Sequence, residues 1–160
     1  MSSVIVSVRV AATPRETFDI FTRDIALWWQ PSPLFRFTPR DGGVLAFEGA
    51  EGGRFIETLP SGTVFLIGRI RVWQPGERLV FGWRQATFAA GQNTEVDVRF
   101  EPVGEETRVT VEHRGWDSVP GTHVARHTMS NVIFLRRHGE YWQALLAGIA
   151  RRAGKSSSNS

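Results

Sequence analysis

The sequence predicts an α+β fold in which a curved antiparallel sheet of about seven strands wraps around one long C-terminal helix. Three observations carry that prediction. The stretch from Gly52 to Trp83 reads as consecutive aromatic strands broken by turns at Pro60-Ser61-Gly62 and Gln74-Pro75-Gly76-Glu77. A strand followed by two short helices opens the chain, and an amphipathic helix closes it. One domain suffices for 160 residues, which is enough chain to bury a real core.

The first strand is marked by Val4, Val6, Val8 and Val10 alternating with Ile5, Ser7 and Arg9, the period of a half-buried strand. A helix start follows at once. Thr13 can cap, Pro14 suits the first helical position and Glu16 completes a capping box, while Phe18 and Phe21 share the helix's apolar face. Asp24 to Trp29 reads as a second short helix, ended by the Pro31/Pro33 segment.

From Gly42 the pattern is that of strands, over Val44–Glu48, Arg54–Leu59, Thr63–Trp73, Leu79–Gln85, Thr94–Pro102 and Thr107–Arg114. Turn residues at Gly49–Gly53, Pro60–Gly62, Pro75–Glu77, Ala90–Asn93 and Gly104–Glu106 separate them, and spacing this short favours an antiparallel meander over crossovers. Whether Trp73 faces inward is left open, because a bulge near the Gln74–Pro75 turn would flip it. In the last third Leu135, Trp142, Leu145, Leu146 and Ile149 recur at helical spacing, giving a helix from about Ser130 to Ala153. Val124–Asn131 belongs either to that helix or to a separate turn. The domain is therefore placed at residues 1–153, with 154–160, small and polar, as a disordered tail.

Composition narrows the function. Six Trp and eleven Phe stand against a single Tyr, a balance that suits a deep core or an apolar cavity because Trp and Phe bring area with few polar groups. No cysteine is present, which excludes disulfides and thiolate chemistry. The net charge of +3 comes from dispersed arginines, with Lys155 the one lysine, and no basic stripe points to nucleic acid. The N-terminus lacks the pattern of a signal peptide, and the apolar runs fall short of a membrane span, so a cytoplasmic location is expected. None of the turn glycines opens a helix after a strand, so nucleotide binding is not expected. No cofactor or metal is expected either. His123 and His127 have a chelating spacing but lack a third ligand and the glutamate of the usual zinc motif.

Alternation places Leu79, Phe81 and Trp83 on one face, Val96, Val98 and Phe100 on the next strand's, and Val109, Val111 and His113 beyond. If these are the inner faces, Phe81, Trp83 and His113 meet Trp142 across the space under the last helix. His113 and His138 are the candidates for orienting a polar group or for acid–base work. Glu57 shares a face with Phe55. With Arg69 it makes either a cross-strand ion pair or a polar anchor inside a cavity.

The order of elements is that of the helix-grip fold, the START-like or birch-pollen-allergen-like superfamily. The residues resemble, more narrowly, the family named after the activator of heat shock protein 90 ATPase. The resemblance rests on Trp28-Trp29, on Gly52-Gly53-Arg54-Phe55-Ile56-Glu57, and on Gly68-x-Ile70 leading to Pro75-x-x-Arg78-Leu79-Val80-Phe81-x-Trp83. Thr107-x-Val109-x-Val111-x-His113-Arg114-Gly115-Trp116 and Glu140-Tyr141-Trp142-x-x-Leu145-Leu146 complete it, covering the chain from about Val4 to Ile149. Pro120–Asn131 departs from the family's pattern. The resemblance implies a cavity between sheet and helix that holds a small hydrophobic or amphipathic ligand. Phe47, Phe55, Phe81, Trp83, His113 and Trp142 would line it, with Trp28 or Trp29 closing one end. It also implies two alternatives: a cyclase or dehydratase acting on an aromatic or polyketide-like substrate, and a module that contacts a chaperone. The oligomeric state is left open.

Overall fold

The computed structural model describes residues 3–29, 37, 43–84, 88–89, 91–116, 119 and 131–158, with the side chains of the last helix described over 133–153. In chain order the elements are β1 Val4–Val10, α1 Pro14–Arg23, α2 Ile25–Trp28, β2 Val44–Glu48, β3 Arg54–Thr58, β4 Val64–Gln74, β5 Arg78–Trp83, β6 Thr94–Val103, β7 Glu106–Arg114 and α3 Asn131–Ser158. Every strand the sequence suggested is present, with ends that differ by a residue or two. The last helix runs past Ala153 to Ser158.

The seven strands form one antiparallel sheet in the order β1-β7-β6-β5-β4-β3-β2. Strands β2 to β7 are a meander, and β1 closes the far edge by pairing with β7, Val4 opposite His113 and Val10 opposite Thr107. One sheet face is covered by α1 and α3, with α3 lying against β1 and touching α1 and α2. Helix α1 starts as the capping box requires: the Glu16 amide donates to Thr13 Oγ1 at 3.2 Å, and that hydroxyl donates to Glu16 Oε1 at 2.9 Å. Its buried side, Thr17, Phe18, Ile20, Phe21 and Thr22, lies on the sheet. The Trp28 indole N–H donates to the Ile20 carbonyl at 2.9 Å, which fixes α2 against the end of α1.

Strand β4 carries two irregularities that decide which side chains face inward. Its pairing slips by one residue against β3 at Ile67, where Phe55 is opposite Gly68 but Ile56 is opposite Leu66. It slips again against β5 at Arg71, where Ile70 is opposite Phe81 but Val72 is opposite Val80. A single extra residue reverses the facing of everything beyond it. Ile70 and Trp73 therefore both point inward although three positions apart, and the Trp73 ring meets Phe18 edge-on at 5.1 Å. The facing of Trp73, open from the sequence, is set by the slip at Arg71 rather than by the turn.

Gly68 occupies a place that only glycine fills. A Cβ there would press into the Gly82 carbonyl group and lie 2.6 Å from the Gly82 Cα, so β4 and β5 approach each other without a side chain between.

Candidate functional site

The inner face of the sheet holds two adjoining sets of rings. Under α1, Phe47 stacks on Phe55 at 4.4 Å, and both meet Phe81 edge-on at 5.1 and 5.0 Å, with Phe21 6.4 Å from Phe81. Under α3, Trp83 lies 4.5 Å from Phe37, 4.7 Å from His113, 5.7 Å from Trp142 and 5.8 Å from Trp29. Trp29 reaches Phe55 at 6.4 Å and so joins the two. Trp83 and His113 meet Trp142 as alternation suggested, while Phe81 lies in the neighbouring set. Phe55, Phe81, Trp83, His113, His138 and Trp142 are all 0 % exposed, so they touch one another rather than an open chamber. Trp28 is buried beside Phe21 and Trp29, at 5.0 and 5.5 Å.

Polar atoms in this core form a directed chain. The Trp142 indole N–H donates to His113 Nδ1 at 3.1 Å, and an indole nitrogen can only donate. His113 Nδ1 is therefore an acceptor, and its proton sits on Nε2, which donates to Thr94 Oγ1 at 2.7 Å. Thr94 in turn donates to the Trp83 carbonyl at 2.9 Å. His138 Nε2 lies 2.8 Å from the same His113 Nδ1, so His138 is the donor there and carries its proton on Nε2. Protonating His113 would aim an N–H at two other N–H groups.

Charge states follow from this arrangement. Burial, and then the neighbouring His138, hold His113 well below the ordinary histidine range. Burial alone takes His138 down to about 3. Burial also raises the Tyr141 phenol, against the opposing effect of a hydrogen bond with Trp29. Both histidines and the phenol are neutral near pH 7. His113 uses both nitrogens internally and serves as a structural node. The Trp83 indole N–H is buried and has no hydrogen-bond acceptor among the described residues.

The two remaining candidates separate. Glu57 does share the inner face, opposite Leu45 and one step from Phe55, and its carboxyl group packs over Gly43. Arg69 does not. It pairs in register with Arg54 on the opposite face and is exposed, so it anchors nothing in the core. Arg54 instead binds Glu48, bidentately, with Nη2 3.0 Å from Oε2. His123 and His127 lie outside the described residues. Among the described residues no three His, Asp or Glu side chains stand together as a metal site.

Sequence reasoning missed Thr94, Phe37, Trp116 and Phe134. Thr94 was visible in principle, as the first residue of its strand directly opposite Trp83. Trp116 and Phe134 close the far side of the histidine pair, at 5.1 and 5.7 Å from His138.

The family model described as Activator of Hsp90 ATPase homolog 1-like protein matches residues 11–154. The chain belongs to this family. No curated protein matches the sequence. Among solved structures, the anthrahydroquino-γ-pyrone synthase Txn09 is 30% identical, with 94% of this chain and 96% of that one covered and a TM-score of 0.55. An HSP90 activator from Plasmodium falciparum is 20% identical over 96% of this chain and 97% of that one, with a TM-score of 0.64. The Aha1 dimer from Colwellia psychrerythraea is 14% identical over 94% of each, with a TM-score of 0.63. The last two likenesses show the shared helix-grip fold. As in other members of the activator family, the chain combines the curved sheet with the C-terminal helix, and none of its described helices is long and apolar enough to cross a membrane.

Proposed function

We propose that the protein binds a small hydrophobic or amphipathic molecule between the inner sheet face and α3, with a flat apolar part among Trp29, Trp83 and Trp142 and a carbonyl or ether oxygen on the Trp83 indole. The observation that carries this reading is the Trp83 N–H, buried without an acceptor among the described residues. A buried donor left unpaired costs about 1–3 kcal/mol, and natural cores hold few of them. An oxygen-bearing ligand would recover that energy while the surrounding rings supply apolar area. Because the rings are closed on one another, binding requires some of them to turn aside, so affinity reflects that rearrangement as well as the contacts made.

Tryptophan fluorescence of the purified protein, titrated with fatty acids, sterols, flavonoids and anthraquinones, tests the reading. Saturable quenching by oxygen-bearing planar compounds is expected. Trp83→Phe keeps an aromatic ring but removes the N–H, and should weaken those compounds about tenfold, well beyond its smaller effect on hydrocarbons. If nothing in the panel quenches, or if Trp83→Phe binds every compound as well as the parent, the proposal fails.

The 30% identity to a pyrone synthase favours a second reading, an enzyme acting on an aromatic or polyketide-like substrate. His138 would be its acid–base group, since His113 is committed to Thr94 and Trp142. Product formation in the same titrations separates this from binding alone. The chaperone-contact expectation rests on the family name, and stimulation of an HSP90 ATPase by the purified protein tests it.

A further inference from the structure

The outer face of the sheet, away from α1 and α3, carries a groove of about 630 Å³ lined by Arg69, Arg71, Gly82, Glu95, Arg114 and Gly115, with Asn93 and Thr94 at one end. Four neighbouring strands build it. Arg69 and Arg71 project from β4 about 7 Å apart along the strand. Gly82 follows on β5, directly opposite Glu95 of β6, and Glu95 is opposite Arg114 of β7. Gly82 and Gly115 have no side chains, so the backbone is the floor.

The charges are not balanced within the groove. Arg114 is held on three sides, donating to Glu95 at 2.6 Å, Glu112 at 2.8 Å and Asp97 at 3.2 Å. Burial pulls its guanidinium down, but these bonds outweigh it and raise it above the ordinary arginine range. Arg71 donates from Nη1 to the other Glu95 oxygen at 2.5 Å. Both Glu95 oxygens are thereby used. The Arg71 side chain is 69% exposed, and among the described residues its Nε and Nη2 donors make no hydrogen bond. Arg69 lines the same groove; its charge helps to lower the Glu48 carboxyl, which Arg54 holds bidentately, but among the described residues Arg69 itself makes no hydrogen bond and no ion pair within 4 Å.

We propose that this groove binds a small organic oxyanion, a carboxylate or a phosphate ester, between the Arg69 and Arg71 guanidiniums. A planar guanidinium fork matches carboxylate and phosphate oxygens bidentately. Arg114, pinned by its three carboxylates, forms a fixed wall, and Glu95 holds Arg71 in place without neutralising Arg69. The groove is open to solvent along its length, which leaves room for an organic body over the glycine floor beside the oxyanion. This site lies on the opposite side of the sheet from the aromatic core and does not depend on the function proposed for it.

Amide-resolved NMR titration with inorganic phosphate, phenyl phosphate and benzoate tests the assignment. Saturable shifts at Gly82 and Gly115 are expected, with phenyl phosphate or benzoate binding more tightly than inorganic phosphate, and the preference between the first two says which oxyanion the site takes. Arg69→Gln and Arg71→Gln should each weaken binding about tenfold or more. Arg69 is exposed and makes no hydrogen bond among the described residues, so its replacement leaves the fold intact. Arg15→Gln, on α1, removes the same charge elsewhere and should change nothing. No saturable shift at millimolar ligand would overturn the proposal. So would equal weakening by all three variants, which would mean diffuse surface charge.

Discussion

Thr94 shows how much one small side chain holds. Its hydroxyl accepts the His113 Nε2–H at 2.7 Å and donates to the Trp83 carbonyl at 2.9 Å, both in the buried core. Thr94→Val keeps the shape and removes the acceptor, leaving a buried imidazole N–H unpaired. The loss should be about 1–3 kcal/mol, the usual cost of an orphaned buried donor. Urea unfolding should show a lower midpoint with an unchanged slope. Thr94→Ser, which retains the oxygen, should recover most of the stability. If valine is as stable as threonine, the hydrogen-bonded chain through His113 is not holding the core. Residue identity made His113 and His138 visible in the sequence, but their partners were not, because the contacts join β6, β7 and α3 across long separations. Arg69 failed as an inner anchor for a local reason: it pairs in register with Arg54, and that face is the outer one.

At the scale of elements, patterning was sufficient wherever one rule governed the whole segment. The alternation of β1, the capping box of α1 and the apolar stripe of α3 all appear where the residues placed them. Strand β4 is different because two single-residue slips divide it, at Ile67 and Arg71, and period-2 reading cannot locate a slip. The slips and Gly68 belong together, since the glycine allows β4 to close on β5 between them. Gly68→Ala should therefore force the two backbones apart, with a cost of about 1–3 kcal/mol or more, typical of overpacking. The expected readout is a lowered unfolding midpoint and faster amide exchange in β4 and β5 but not in β1. A fully stable alanine variant would show that the close approach at Gly82 is not required. Gly82→Ala offers a contrast, because a Cβ there meets nothing nearer than 3.4 Å. It should cost far less.

Across the whole molecule, the two buried histidines tie stability to pH. Each is neutral when folded, His138 with its titration pushed down to about 3 and His113 well below the ordinary range, burial being the main cause for both. In the unfolded chain each titrates near 6.5. Below that value the unfolded state binds protons that the folded state refuses, so stability rises with pH and is lost on acidification. Each histidine contributes a slope of up to about 1.4 kcal/mol per pH unit, and the pair about 2.7, across the window from pH 6 downward. Asp97 is also shifted: burial raises it, but hydrogen bonds from Arg78 and Arg114 outweigh that and lower it. Its contribution is present above about pH 4 and is lost only below that, so it does not confound the upper part of the window. Against a typical total of about 5–15 kcal/mol, the histidines alone can remove a large share of the stability by pH 5. Urea unfolding at pH 7.5, 6 and 5 should give steadily lower midpoints. His138→Phe replaces a ring stacked on Phe134 by another ring and removes one titrating group, and so should roughly halve the slope. A midpoint that stays flat from pH 7.5 to 5 would mean that both histidines take up protons in the folded state as readily as in the unfolded one. The aromatic core would then open far more easily than its closed packing implies, and the barrier to ligand entry would be correspondingly low.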